Sequence, residues 1–342
     1  MNSKPSAQQM NQKYDVIIIG AGPSGSVAAS LLVADGLSVL ILEKQHFPRF
    51  SIGESLLPQC MEFLKEAGLE QALDRYAEDY GFQFKNGAAF HKRGKNSSFD
   101  FTEKFSAGRG TTYQVKRAIF DKLLADETEK KQVDIRYGHQ VNSVLTLQPE
   151  VCLEVSDDDG VAYQVQAKFL LDGSGFGRVL PKLLKLEQPS EFPVRHSYFS
   201  HFKDGIDCPD FDRDKILITV NPNYSDVWYW LIPFSDGSAS VGVVGLPERF
   251  DASLPPINTL MDFINQDPNL QRLMKNATPT GEARSIKGYS ADVTKLWGEN
   301  FALLGNAGEF LDPVFSSGVF LALKSGEMLA DAAHEGLCNG DL

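Results

Sequence analysis

Residues 14–25 read Tyr-Asp-Val-Ile-Ile-Ile-Gly-Ala-Gly-Pro-Ser-Gly. The first half is a β-branched run without polar alternation, the pattern of a strand covered on both faces in a parallel sheet. The second half is Gly20-x-Gly22-x-x-Gly25. In such a loop the first glycine permits a tight turn, the second lets backbone approach a pyrophosphate, and the third lets helix and strand pack closely. On its own this triplet is a weak signal. Here it follows a strand and opens a small-residue helix over Ser24–Ala34, which Gly36 stops. Glu43 answers it at the end of a second strand, Ser38–Glu43. A carboxylate there accepts hydrogen bonds from ribose hydroxyls and disfavours a 2′-phosphate, so the unit reads as a dinucleotide site rather than a glycine-rich structural turn, and not as an NADP site.

Outward from this unit, the chain has 342 residues, 42% apolar and 23% charged, enough for one large core or two cooperating ones. A net charge of −12 with no basic block argues against nucleic-acid or anionic-membrane partners. Residues 1–13 are polar and read as a flexible leader, and no apolar run approaches ~18 residues. The cysteines, Cys60, Cys152, Cys208 and Cys338, are scattered without C-x-x-C or paired histidines. No metal site is expected, and reduced thiols fit a cytoplasmic protein.

The remaining pattern gives a helix over Leu56–Ala67 and strand content over Phe82–Phe90, Ile135–Leu147 and Val151–Phe169, the last broken by a turn at Asp157–Gly160. Lys168–Asp172 followed by Gly173-Ser-Gly175 reads as a buried strand meeting a glycine loop. Aromatic and polar residues alternate from Phe192 to Ser290, as in an antiparallel sheet. Asn300–Gly305 is again a buried strand, and Ser317–Ala333 a helix. The fold class is therefore α/β. A Rossmann-type dinucleotide domain is expected from residues 14–80, 110–180 and 285–342, with an inserted, largely antiparallel β-sheet substrate domain from 81–109 and 181–284.

Several segments carry a resemblance: Glu43-Lys44, Phe47-Pro-Arg49-Phe50, Gly53-Glu-Ser-Leu-Leu-Pro58 and Gly305-Asn-Ala-Gly-Glu-Phe-Leu-Asp-Pro313. Together they resemble the flavoprotein monooxygenase superfamily with its para-hydroxybenzoate-hydroxylase-like fold, in the branch that holds flavin-dependent halogenases and geranylgeranyl-reductase-like proteins. The resemblance implies FAD, bound by Gly20, Gly22, Gly25 and Glu43 and also by Lys44, Arg49, Arg117, Asp312, Gly318 and Val319. Asn306 departs from the Asp of many relatives, although an amide still hydrogen-bonds.

Trp228-Tyr-Trp230-Leu-Ile232-Pro233 matches the W-x-W-x-I-P signature of the halogenases, whereas the reductase branch tends to carry Tyr-x-Trp-x-Phe-Pro. Its plainer reading is an aromatic strand whose two tryptophans share a face. Trp228, Trp230, Pro233 and Phe315 are the expected wall of the substrate pocket, with the tryptophans beside the flavin. Lys85, in Phe84-Lys85-Asn-Gly87, is the implied catalytic lysine, whose ammonium polarises hypohalous acid or carries the halogen as a haloamine. The plain alternative is a solvated lysine on a strand. Ser317 and Gly318, at a helix start, are the implied halide site for chloride or bromide; Ser316 or Ser317 as a simple helix cap is compatible with this. No general base is evident. Glu54 is expected to fix a loop, and His91, His196 and His201 to play ordinary surface or core roles.

The resemblance thus implies a halogenase that takes FADH2 from a separate flavin reductase, uses O2 and halide to make hypohalous acid, and halogenates an aromatic or heteroaromatic substrate. Some relatives act on carrier-bound substrates, which makes a carrier protein a candidate partner. A reductase or hydroxylase on the same flavin scaffold is the first rival. An inactive flavin-binding fragment is the second, because the helical C-terminal region of the family is expected to be absent or truncated after Leu342.

Overall fold

The β-branched run folds as β1 (Lys13–Ile19), followed by α1 (Pro23–Ala34) and β2 (Val39–Glu43). The structure is a computed structural model and describes residues 13–310 and 313–340. All but the last residue of the expected leader lies outside the described residues, and so does Asp312. β1 is central in its sheet, parallel to β2 on one side and to Ala162–Asp172 on the other, with Ile19 opposite Leu42 and Asp172. The order runs Trp297–Gly298, Phe301–Leu303, Ala162–Asp172, β1, β2, Asp134–Tyr137, all parallel except the first.

Alternate residues of β1 enter two cores, which is why the run is apolar throughout. Val16 and Ile18 pack with Ala28, Ala29 and Leu32 of α1, and with Ala330 and Ala333 of the long helix Ser317–Asn339. Ile17 and Ile19 pack on the opposite face with Leu153, Val155 and Leu170, where Gln140–Thr146 and Val151–Ser156 form a meander running off Ala162–Asp172. Gly20 turns the chain at a left-handed φ of +95°. At Gly25 a Cβ would lie 2.1 Å from the Gly20 carbonyl oxygen, so only glycine lets α1 start this close to β1.

The second sheet orders as Thr278–Pro279, His196–Lys203, Ser238–Gly245, Trp228–Pro233, Lys215–Val220, Gly87–Lys92 and Lys95–Asp100. Arg284–Lys287 also pairs with His196–Lys203, so this sheet continues past residue 284. It is antiparallel except where Lys215–Val220 meets Gly87–Lys92 in parallel, a pairing between segments far apart in the chain. The expected strand Phe82–Phe90 divides at Asn86. Gln83–Lys85 leaves to form a ribbon with Thr112–Gln114, and Gly87–Lys92 joins the sheet.

One face of the second sheet is covered by Pro256–Ile264 and Pro268–Leu273, two helices where the sequence pattern reads only strands. Both are too short for helical periodicity to show; the signals are proline in the first turn of each and Asp267, whose side chain caps Asn269 and Leu270. The other face carries Phe199, Ile216, Ile218, Trp230, Ile232 and Val244 and looks onto the first sheet. The expected helix Leu56–Ala67 is shorter, Gln59–Glu66, and is followed by Glu70–Tyr76. Among the described residues no helix is long and apolar enough to cross a membrane.

Candidate functional site

A continuous cleft of about 510 Å³ runs between the two sheets, within the size range of ligand sites. At one end it is lined by Gly20, Gly22, Glu43, Lys44, Arg49 and Arg117. α1 begins here with no side-chain cap, which leaves first-turn N–H groups and the positive end of the helix open to an anion. Gly25 is the tight contact beneath the turn rather than part of the lining. The buried Glu43 carboxylate accepts from Ala21 N at 3.0 Å and from Gln45 N at 2.9 Å. Each oxygen keeps a further lone pair for a hydroxyl.

Arg49 and Arg117 are brought together by Asp121, which is fully buried. Arg49 Nη1 donates to Asp121 Oδ2 at 3.1 Å, while Arg117 donates from Nε to Oδ1 at 2.7 Å and from Nη2 to Oδ2 at 3.0 Å. Arg117 also donates to the Ile52 carbonyl. Sequence reasoning missed Asp121. Its signal was the i, i+4 spacing to Arg117 on the helix Arg117–Glu129.

The far end of the cleft is apolar, lined by Ile216, Ile218, Trp228, Trp230, Ile232 and Val244. The indole rings of Trp228 and Trp230 lie 6.1 Å apart, and Trp230 Nε1 donates to Ser240 Oγ at 3.1 Å. Strand alternation places Trp228, Trp230 and Ile232 on this face and turns Pro233 to the other, with Tyr229 and Leu231. Pro233 is therefore not part of the wall. Phe315 is not either: it is 73% exposed, and Phe310 lines the cleft instead.

At the start of Ser317–Asn339, Ser316 adopts a left-handed φ of +58° and no side chain caps the helix, so neither Ser316 nor Ser317 is the expected cap. Ser316, Gly318, Val319 and Asn306 line the cleft; Ser317 does not. The uncapped first turn offers backbone N–H groups beside the lining.

Lys85 is neither solvated nor on the cleft surface. It is 1% exposed, and its Nζ donates to Ser55 Oγ at 2.8 Å and to the Leu56 carbonyl at 2.7 Å, with the Phe101 ring centre 5.1 Å away. Burial pulls its pKa down to about 7. Ser55 lines the cleft and stands between the lysine and the open space. Its neighbour Glu54 also lines the cleft and accepts from His201 Nε2 at 2.6 Å. Burial lowers the His201 pKa, but the hydrogen bond and charge of Glu54 outweigh it and the net shift is upward. Neither this pair nor the contact of Lys85 with Ser55 was visible in the sequence.

An anion-receiving helix end, a carboxylate at the end of β2, two arginines and an aromatic wall lie along one cleft, and these residues fit FAD. A family model described as an FAD binding domain matches residues 13–250. A 1H-pyrrole-2-carbonyl-[peptidyl-carrier protein] brominase of Pseudoalteromonas luteoviolacea is 30% identical over 336 residues, covering 96% of this chain and 79% of the brominase. The chain belongs to the flavin-dependent halogenase family. It is an FAD-dependent oxidoreductase, and a solved halogenase structure agrees with its family membership. A myxobacterial chondrochloren halogenase superposes with a TM-score of 0.84 at 33% identity, covering 97% of this chain and 76% of that one. A flavoprotein/dehydrogenase from Cytophaga hutchinsonii superposes with a TM-score of 0.90 at 41% identity, covering 95% of this chain and 79% of that one.

Proposed function

We propose that this family member halogenates an aromatic or heteroaromatic substrate with hypohalous acid that Lys85 activates through Ser55. The carrying observation is the hydrogen bond from Lys85 Nζ to Ser55 Oγ, with Ser55 on the cleft wall. Reduced FAD, when bound at Gly20, Gly22, Glu43, Arg49 and Arg117, supplies two of the four electrons that O2 takes up, and halide supplies the other two in becoming hypohalous acid. Chloride or bromide is held by backbone N–H groups at the start of Ser317–Asn339, beside Gly318.

The Lys85 ammonium donates to Ser55 Oγ, and the Ser55 hydroxyl donates onward to the oxygen of hypohalous acid in the cleft, weakening the oxygen–halogen bond. As the ring attacks, the carbon–halogen bond forms, the oxygen–halogen pair stays on oxygen, and the proton passed through Ser55 lets that oxygen leave as water. Because Nζ sits behind Ser55, this geometry favours proton donation over a lysine haloamine. Trp228 and Trp230 hold the aromatic partner against a dry wall.

The sequence carries one dinucleotide fingerprint, so FADH2 is proposed to arrive from a separate flavin reductase. The Pseudoalteromonas relative acts on a carrier-bound pyrrole, which makes carrier-bound as well as free substrates part of the proposal. The test is turnover with a flavin reductase, FAD, O2 and bromide on free and carrier-bound phenol, indole and pyrrole probes. Products bearing the isotope doublet of bromine support the reading. Hydroxylated or saturated products without bromine favour the reductase or hydroxylase reading, to which the flavoprotein/dehydrogenase likeness gives weight.

A further inference from the structure

Substitution at an aromatic carbon releases the proton that carbon carried, and the Lys85–Ser55 pair is already engaged in giving a proton away. We propose that the Glu54 carboxylate accepts the ring proton, anchored by His201 on the cleft wall. This assignment rests on the halogenase reading above.

The position of Glu54 is set by its backbone, whose carbonyl accepts from Val115 N at 2.7 Å. Glu54 is 4% exposed and lines the same cleft as Ser55 and Trp230. Oε1 is held by His201 Nε2 at 2.6 Å, while Oε2 takes no hydrogen bond among the described residues. A buried carboxylate with one oxygen anchored and one unengaged can receive a proton in a fixed direction. His201 projects from the strand His196–Lys203 on the face that also carries Ser197, a cleft residue, and Phe199.

Without a partner, burial would push a carboxylate towards its neutral form, which accepts no proton. Three charged groups act on His201. Glu54 favours its cationic form, while Lys116 and Arg284 oppose it, Lys116 being itself paired with Asp236. The balance keeps a donor on Glu54. In the step itself, the ring C–H pair returns to the ring as Glu54 Oε2 binds the proton, and the carboxyl gives that proton to water once product leaves. No oxidant or reductant is required. His201 acts through Glu54 and is a positioning residue.

The test uses a probe that the wild-type protein brominates, in protiated and ring-deuterated forms. In the wild type, halogen transfer is expected to limit the rate, so ring deuterium should have no effect. Glu54→Gln is expected to slow bromination by about 10²-fold, as loss of a general base does, and to introduce a primary isotope effect while FAD binding persists. Replacing His201 by Phe should move the acid limb of the pH profile to higher pH, and His201→Gln, which still donates a hydrogen bond, should move it part of the way back. A Glu54→Gln protein as fast as wild type, or slowed without an isotope effect, overturns the assignment. If that variant does not fold, an unmoved acid limb in His201→Phe overturns it. A wild-type protein that brominates no probe removes the halogenase reading and this assignment with it, an outcome distinct from the other three.

Discussion

Lys85 Nζ lies 2.8 Å behind Ser55 Oγ, and of the two only Ser55 borders the cleft. In the proposed relay the ammonium reaches the cleft through that one hydroxyl. Removing either member should have the same consequence. Ser55→Ala and Lys85→Met are each expected to lower bromination by about 10²-fold or more, the scale of a lost proton donor, with flavin-fluorescence titration showing unchanged FAD affinity. Wild-type turnover in Ser55→Ala would contradict the relay.

The Lys85 pKa of about 7 gives two pH dependences of opposite sign. Donation needs the ammonium, so turnover should fall as pH rises through about 7. Stability should move the other way. Between that value and the ordinary lysine value of 10.5, the unfolded chain holds a proton that the folded chain has lost, so stability rises with pH across the window. Below about 7 both states are protonated and the burial cost is fully present. Denaturant titrations of wild type and Lys85→Met at several pH values should show the wild type gaining a few kcal/mol on the variant across that window. A constant difference would count against the buried, shifted amine.

Glu43→Ala should weaken FAD binding by about 1.5–3 kcal/mol, the scale of hydrogen bonds to a charged group. The loop should loosen as well, since Ala21 N and Gln45 N lose their acceptor. Fluorescence titration measures the first effect, and amide exchange at Ala21 and Gln45 the second.

Gly25→Ala places a methyl carbon 2.1 Å from the Gly20 carbonyl oxygen, and α1 must move away from β1 to admit it. The expected loss is about 1–3 kcal/mol or more, typical of overpacking, together with weaker FAD binding, both readable by thermal unfolding with and without flavin.

Phe315 and Trp230 separate exposure from site membership. Phe315→Ala should leave turnover near wild type, because the ring is largely exposed and away from the cleft. Trp230→Ala empties a ring packed against Phe199 and Trp228 and should cost about 3–5 kcal/mol along with most of the turnover. Equal losses in product yield would place Phe315 back at the pocket.

Much of the cofactor end was legible in the sequence because its determinants are local. A left-handed glycine, a helix start and a carboxylate at the end of the next strand fall within residues 14–43, and strand alternation alone puts Trp228 and Trp230 on one face. The same alternation, applied strictly, would have removed Pro233 from the wall. Two short proline-started helices were missed because they carry too few turns for a period to emerge. The expectation for Lys85 came from a family pattern, which says nothing of how deep a side chain lies, and the expectation for Phe315 came from its place beside the glycine turn, which says nothing of which way a ring faces.

By itself the sequence determined the parallel sheet, the dinucleotide turn and the halogenase kinship, since each depends on neighbours in the chain. Tertiary structure alone decided that Lys85 lies behind Ser55, that Asp121 joins Arg49 to Arg117, and that Glu54 meets His201 across 147 positions. These depend on burial and on packing between two sheets, and neither quantity is a property of a residue and its near neighbours.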